Sequence, residues 1–442
     1  MKAPRISLHR ICAAPLLVAL VLAAGTSAHA AGNSYQQHNL VADLAGAADH
    51  TDTNLVNAWG VAFNPFGPVW VADNGTGVST LYDGTGTPIP LIVQIPSPTD
   101  PSGGNPTGIV FNGSTGFVVS AGSVSGASRF IFATEDGVIA GWAPNVDPTH
   151  AIRVIDNSAS TGAVYKGLAL SAGGSGSLLY AADFHNNKID VFDGSFKPVT
   201  LTGAFTDPSI PAGFAPFGLQ AINGNIYVSY AMQDADKHDD VKGDGFGFVN
   251  VFGPNGELIK RVASGGKLNA PWGMALAPAS FGKFGNYLLV GNFGDGRINA
   301  YDLANGKFGG QLIGANGSPI QIDGLWGLIF GNGFANQPAE TLFFAAGPND
   351  EQHGLYGRID PVAGEPSTEC LFNWAENNYA SLFAPAGSPT AVWETFTYRY
   401  YSATNAYVGI SSIDNHVYYK DPNGNLHDEG EASIWLPQAG CQ

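Results

Sequence analysis

A short apolar segment with glycine at its centre recurs along this chain about every fifty residues. The glycines of the six copies stand at 60, 108, 167, 218, 273 and 327, so successive copies are 48 to 59 residues apart. Repeats of this length occur in propeller blades and in solenoid units. Each copy has room for four short strands, which fits a blade better. The repeat therefore predicts an all-β fold, a six-bladed β-propeller over residues 31–361.

Further apolar strands follow each glycine segment. Second strands are predicted at 69–73, 117–120, 179–183, 226–230, 288–292 and 342–346, and third strands at 79–83, 189–193, 248–252 and 298–302. Small side chains in the first two strands suit the crowded centre of a propeller, and aromatic ones in the third fill the wider periphery. The segment 38–43 also has strand character. We expect it to complete the sixth blade, so that no sheet edge stays free.

Several motifs carry a family resemblance. Residues 179–193, LYAADFHNNKIDVFD, resemble the blade of NHL-repeat proteins. Together with NLVADL, NAWGVAF, VWVADNGTG, FIFATEDGVIAGW and KGLAL, they make residues 38–361 similar to a family of uncharacterised secreted bacterial proteins. The resemblance implies the propeller fold and brings no established activity.

Residues 1–30 have the pattern of a signal peptide. A basic start is followed by the apolar run Ala13–Ala24 and by Ala28-His29-Ala30, which predicts cleavage near Ala30. An uncleaved anchor is the alternative, but the run is shorter than the about 20 residues that cross a bilayer. We therefore expect a secreted or periplasmic protein with no membrane span.

The charge of the mature chain restricts its partners. Removal of residues 1–30, which carry three basic and no acidic side chains, leaves 16 of the 19 Lys and Arg against 36 Asp and Glu, a net charge of −20. Such a surface repels nucleic acid. The remaining partner classes are a small molecule, a carbohydrate or a protein.

A second module is predicted at 370–442, after a linker at 362–369. Cys370 and Cys441 bracket it, and export to an oxidising compartment favours a disulfide between them over a zinc site, which would need two more ligands. Short aromatic strands are predicted at 371–374, 398–401, 407–410, 416–419 and 433–436. The module resembles one that recurs at the ends of exported bacterial proteins. Its ten Trp and Tyr residues would either form its core or offer stacking faces to sugars.

The loops after the second strands hold the candidate site residues, because such loops converge at the axis of a propeller. Candidate catalytic residues are His185, His238 and His353. Candidate ligands of a divalent cation such as Ca²⁺ are Asp73, Asp183, Asp234, Asp236, Asn292 and Asp295. Asp and Asn also cap turns without any ligand. The segment 233–245 contains five Asp residues but lacks the spacing of a calcium loop.

Two functional hypotheses follow from these observations. The first is an exported ligand-binding or scaffold propeller, since the sequence contains no nucleophile elbow, phosphate loop, HExxH motif or dinucleotide fingerprint in a convincing context. The alternative is a metal-dependent hydrolase or lyase with its site near the axis and a histidine as general base.

Overall fold

The computed structural model describes residues 34–173, 176–362, 368–383, 391–393, 396–411, 413–414, 416–432 and 434–435. The predicted signal peptide and Cys441 lie outside these ranges. Cleavage near Ala30, export and the Cys370–Cys441 disulfide therefore stay predictions. No helix within the described ranges has both the length and the apolar character needed to cross a membrane.

Antiparallel sheets follow one another along residues 35–361, one for each glycine copy. Blade one comprises Ala58–Phe63, Val69–Asp73, Val78–Tyr82 and Val93–Gln94; blade two Pro106–Phe111, Phe130–Thr134, Val138–Trp142 and Ile152–Asp156; blade three Tyr165–Gly173, Gly176–Asp183 and Lys188–Phe192. Blade four comprises Phe214–Ile222, Asn225–Met232, Phe248–Phe252 and Leu258–Ser264; blade five Pro271–Leu276, Tyr287–Asn292, Ile298–Asp302 and Phe308–Gln311; blade six Leu325–Phe330, Leu342–Ala346, Leu355–Pro361, Tyr35–Ala42 and His50–Thr51. Two short helices, Ser158–Thr161 and Gly282–Phe284, lie in connections.

The repeated glycines let the first strands of neighbouring blades approach closely. A Cβ atom on any of the six would lie under 3.0 Å from a backbone atom of the next first strand. For Gly327 that strand is in blade one, where the nearest atom is the carbonyl oxygen of Trp59. The first strands therefore contact one another in a closed ring. The prediction of an all-β propeller is confirmed.

The N-terminal strand closes the ring as predicted. Tyr35–Ala42 pairs antiparallel with Leu355–Pro361, with His38 opposite Arg358. The Tyr35 hydroxyl donates a hydrogen bond to the carbonyl oxygen of Phe281 (3.2 Å) in blade five. Both ends of the propeller segment thus share one sheet, and the outer edge of blade six is occupied.

Blade two differs from the prediction. Its second strand is Phe130–Thr134, whereas Val118–Ala121 pairs with Val124–Ala127 in a separate hairpin. The hairpin is an insertion between the first and second strands, and its apolar residues imitate a blade strand. The turn after the true second strand, which contains Glu135, was therefore absent from the predicted candidate loops.

The C-terminal module combines helices with a sheet. Thr368–Asn378 and Ala380–Phe383 are helical, and the five-stranded antiparallel sheet comprises Ala391–Trp393, Phe396–Tyr401, Ala406–Ser411, His416–Lys420 and Leu426–Glu431. The strands predicted at 398–401, 407–410 and 416–419 are confirmed. The strand predicted at 371–374 is wrong, because Leu371, Phe372 and Ala375 share the buried face of the first helix. That helix begins at Thr368, two residues before the predicted start of the module at 370. Of the strand predicted at 433–436, the structure describes only Ile434 and Trp435, and these two residues are helical.

Candidate functional site

Aromatic rings close the propeller axis and form the floor of the site. Trp59 stacks on Trp326 with ring centroids 3.5 Å apart, and Phe293 stacks on Trp326 at 3.9 Å. The Trp272 ring meets Trp59 and Trp326 edge-on. All four side chains are buried. They come from blades one, five and six.

A buried lysine lies on this floor. Lys166 is 1% exposed, and its Nζ atom lies 5.1 Å from the centroid of the Trp59 ring. The ammonium group donates hydrogen bonds to Glu135 Oε1 and to Asp239 Oδ1 (3.0 Å). The Trp272 indole donates to the carbonyl oxygen of Lys166 (3.1 Å). These contacts reach blades one, two, four and five, so Lys166 stands at the centre of the ring.

We use the name axial cluster for Glu135, Lys166, His238, Asp239, Asp240 and Glu351. Glu135 lies in the tight turn between the second and third strands of blade two and is held by a chain of amides. Asn74 Nδ2 donates to Glu135 Oε2 (2.7 Å), and Asn57 Nδ2 donates to Asn74 Oδ1 (3.2 Å). Trp326 Nε1 donates in turn to Asn57 Oδ1 (3.3 Å). The aromatic floor and Glu135 are therefore positioned together.

The blade-four loop brings His238 and Asp239 to the axis. The Asp234 side chain accepts a hydrogen bond from the backbone N–H of His238 (2.9 Å), which shapes the turn. His238 Nδ1 and Asp239 Oδ1 lie 3.0 Å apart. The hydrogen bond with Asp239 raises the pKa of His238 above its ordinary value. Conversely, His238 and the Lys166 ammonium hold the pKa of Asp239 well below its usual range.

Two further carboxyl groups, those of Asp240 and Glu351, complete the axial cluster. Burial raises the pKa of Asp240 to about 7, and burial together with the charge of Glu135 raises the pKa of Glu351 to about 7. Asp240 Oδ2 is buried and has no hydrogen-bond partner. Within the described ranges, no side chain or backbone group donates to the Glu351 carboxyl. Both acids therefore retain their protons to a higher pH than an exposed carboxyl does.

The predicted histidines separate in the structure. His238 belongs to the axial cluster, whereas His353 Nδ1 pairs with Asp43 Oδ2 (2.8 Å) beside the N-terminal strand. The carbonyl oxygen of His185 accepts a hydrogen bond from Gln233 Nε2 (3.4 Å). Among the described residues, no hydrogen bond or ion pair joins the three histidines to one another.

Most of the predicted metal ligands act within turns. Thr80 donates to Asp73 (2.8 Å), Asn186 donates to Asp183 (2.8 Å), and Asn292 donates to Asp295 (2.9 Å). Asp234 shapes the blade-four loop, and Asp236 is exposed on that loop. The contacts of Asp183, Asp234 and Asp295 match the turn-capping alternative. Asp73 differs, because Thr80 lies on the third strand of blade one and Asp73 Oδ1 is buried without a hydrogen-bond partner. Among the described residues, none of the five predicted aspartate ligands belongs to a group of His, Cys, Asp or Glu side chains that could hold a metal ion.

Sequence reasoning missed Glu135, Lys166 and Glu351, and it included Asp239 and Asp240 only as part of the acidic segment 233–245. The sequence does contain a signal for Lys166, which directly precedes the repeated glycine of the third copy. In the other five copies this position is occupied by Trp, Phe or Thr. A charged side chain at a position that faces the crowded axis requires a partner. Glu135 was hidden by the inserted hairpin of blade two. Glu351 directly follows Asp350, which pairs with Lys242 at 3.7 Å.

One group of side chains in the axial cluster could together bind a metal ion. Ligand atoms of Glu135, His238 and Asp239 all lie within 4.8 Å of one another. However, the Lys166 ammonium already bonds to both carboxylates. Two unit charges of like sign about 4 Å apart repel by about 4 kcal/mol at an effective dielectric constant near 20, and a divalent ion doubles that energy. The lysine therefore disfavours a divalent cation at this position.

Comparison with known proteins finds relatives but no assigned activity. No family model matches the chain. One uncharacterised protein of Acanthamoeba polyphaga mimivirus is 34% identical over 328 residues, which is 72% of this chain and 78% of that protein. A second from the same virus is 33% identical over 338 residues, covering 74% and 86%. These relatives are viral, whereas the sequence motifs suggested a bacterial family.

Comparison with solved structures finds matches of low similarity. A streptogramin B lyase has a TM-score of 0.44 at 12% identity and covers 74% of this chain and 97% of its own. A protein of unknown function from Bacteroides thetaiotaomicron has a TM-score of 0.44 at 11% identity and covers 75% and 73%. At this level of similarity neither structure informs the activity of this chain.

Proposed function

The chain belongs to the family of the two uncharacterised mimivirus proteins, and we propose that it is an exported propeller that binds a small cationic ligand at the axial cluster. The family has no assigned activity, so the proposal depends on the site itself. The observation that carries it is that the buried Asp240 Oδ2 atom has no hydrogen-bond partner, and that the Asp240 and Glu351 carboxyls lie close to each other and to Asp239.

The axial cluster and its surroundings hold more negative than positive charge. Among the described residues near Lys166, Lys242 and His238, five side chains are acidic: Glu135, Asp136, Asp239, Asp240 and Glu351. Burial raises the pKa values of Asp240 and Glu351 by more than the nearby Lys166 ammonium lowers them. A ligand that brings a positive charge and N–H donors would compensate these carboxylates, whereas an anion would be repelled. The mature net charge of −20 would also draw cations towards the protein.

The arrangement defines the side from which a ligand would arrive. The side chains of His238 and Asp239 are 49% and 64% exposed, whereas those of Glu135 and Lys166 are 14% and 2% exposed. Lys166 thus lies beneath the blade-four loop, and solvent reaches the cluster above it. A ligand would meet the exposed loop first and then the partly buried carboxyls of Asp240 and Glu351.

Titration of the full chain with putrescine, a small diamine, tests this proposal. We expect binding in calorimetry at a pH above 7, where both carboxyls are ionised. Glu351→Gln should weaken binding by about tenfold or more, because a hydrogen bond to a charged group contributes about 1.5–3 kcal/mol. The matched control is Asp236→Asn, which removes an exposed carboxylate of the same loop outside the cluster. It should leave the affinity unchanged.

Two results would contradict a specific axial site. Equal weakening by Asp236→Asn and Glu351→Gln would indicate general attraction to the acidic surface. Preference for glucose over putrescine would indicate a neutral ligand. Calcium chloride serves as a further probe: calcium binding that excludes putrescine and is lost in Glu351→Gln would place a metal ion in the cluster.

The second candidate function is a hydrolase or a lyase. A metal-dependent enzyme would require that a divalent cation bind in spite of its repulsion by the Lys166 ammonium. His238, which is paired with Asp239, is suited to general acid–base chemistry. The Glu351 carboxyl, whose pKa is raised to about 7, is suited to it as well. Elemental analysis of the purified protein and of His238→Ala separates this candidate from the first. Stoichiometric metal that is lost in the variant would favour the enzyme.

A further inference from the structure

The C-terminal module contains an apolar cavity separate from the axial cluster. It has a volume of about 180 Å³ and lies between the helices and the sheet. Its walls include Trp374, Tyr379, Phe383, Tyr419 and Trp435, and Glu429 lies at its rim. A small core built from aromatic residues would normally fill such a space. Here the aromatic side chains surround a space that they do not fill.

The rings around the cavity meet at steep angles. Trp374 and Trp435 have centroids 5.9 Å apart with planes inclined by 56°, and Trp374 meets Tyr379 at 5.6 Å and 70°. On the other side, Phe383 meets Tyr419 at 6.2 Å and 87°. Differently oriented rings thus form adjacent walls. Aromatic cages that bind quaternary ammonium groups through cation–π attraction are likewise built from several aromatic side chains.

The charges of the module complement a cation. Residues 370–442 contain seven Asp and Glu against two Lys and Arg. Glu429 is exposed, and its backbone carbonyl accepts a hydrogen bond from the Trp435 indole (2.7 Å), which holds it at the rim. Burial and the charge of Glu429 raise the pKa of Tyr419. Arg399 bonds to Glu376 (2.7 Å), away from this rim.

We propose that this cavity binds a quaternary or methylated ammonium group of the choline class. The aromatic walls would attract the cation, and Glu429 would compensate its charge at the entrance. A sugar needs several hydrogen-bond partners, and the walls offer few because they are mostly apolar. A plain alkyl ligand would gain nothing from Glu429. The ligand would therefore be recognised by its charge together with its methyl groups.

Titration of the full chain with choline chloride tests this inference. Binding is measured by tryptophan fluorescence and by calorimetry. The control ligand is 3,3-dimethylbutan-1-ol, the neutral carbon isostere of choline. Choline should bind about tenfold or more tightly than the isostere, which corresponds to about 1.4 kcal/mol. Glu429→Gln should weaken choline binding several-fold, and Tyr379→Leu should weaken it while the near-UV dichroism shows an intact fold.

A variant of the other site separates the two proposals. Glu351→Gln should leave choline binding unchanged, because that residue belongs to the propeller axis. Equal affinity for choline and its isostere would mean that the cavity recognises only apolar groups and not the positive charge. That result would overturn the inference. Loss of choline binding in Glu351→Gln, or binding of glucose in preference to choline, would overturn it as well.

Discussion

Gly218→Ala should lower the free energy of unfolding by about 3 kcal/mol, the upper range for forcing an extra methyl group into a packed interior. The new Cβ atom would collide with the carbonyl oxygen of Trp272 on the first strand of the next blade. It would also lie 2.8 Å from Ser229 Oγ. Because each first strand is held between two neighbours in a closed ring, the backbone cannot move aside at one position alone.

Urea denaturation of the variant and of a matched control checks this expectation. In Gly194→Ala the nearest atom to the new Cβ would be the Gly116 Cα atom at 3.9 Å, an ordinary contact distance. The stability of this control should stay within about 0.5 kcal/mol of the parent. Equal stability of Gly218→Ala and Gly194→Ala would mean that the repeated glycines do not set the distance between blades.

Lys166→Met should destabilise the protein by about 3 kcal/mol or more, because removal of one partner of a buried ion pair leaves an uncompensated charge. Most of this loss should come from Glu135, whose side chain is 14% exposed, since Asp239 is 64% exposed and can regain water. The substitution retains a long apolar stem against the Trp59 ring. The effect is therefore electrostatic rather than a packing defect.

Chemical denaturation of Lys242→Met provides the comparison. Lys242 is 45% exposed and pairs with Asp350, which is 93% exposed, so its removal should cost about 0–1 kcal/mol. The double variant Lys166→Met/Glu135→Gln should regain part of the stability, because it removes the Glu135 carboxylate that Lys166→Met leaves without a counterion. If Lys166→Met were as stable as Lys242→Met, the lysine would not hold the axial cluster together.

The fold could be predicted from the sequence because one physical requirement repeats. Each blade needs a glycine where its first strand meets the next one, so Gly60 and its counterparts appear at regular spacing. Closure by the N-terminal strand was predictable because an open sheet edge is unfavourable and residues 38–43 have strand character. The helix at the start of the C-terminal module was mistaken for a strand because its short apolar run fits both periods.

The candidate site was predictable only in part, since its residues come from separate blades. The predicted face of the propeller contains it, and His238 belongs to it. Turn geometry explains the other strand-end residues, such as Asp183, without a ligand. Lys166 is invisible to a search for catalytic motifs because its role arises from contacts with Glu135 and Asp239, which are 31 and 73 residues away. Only the closed ring of blades brings Lys166, Glu135 and Asp239 together.

The most direct test of the axial site counts the protons released when putrescine binds. Calorimetry at pH 7 in two buffers of different ionisation enthalpy gives this number. Glu351 has a pKa of about 7 in the free protein, and a bound cation favours its ionised form. We therefore predict that binding releases protons, that affinity rises as the pH increases through 7, and that Glu351→Gln releases fewer protons. Binding without proton release, at an affinity independent of pH, would contradict a cation site at these carboxyls.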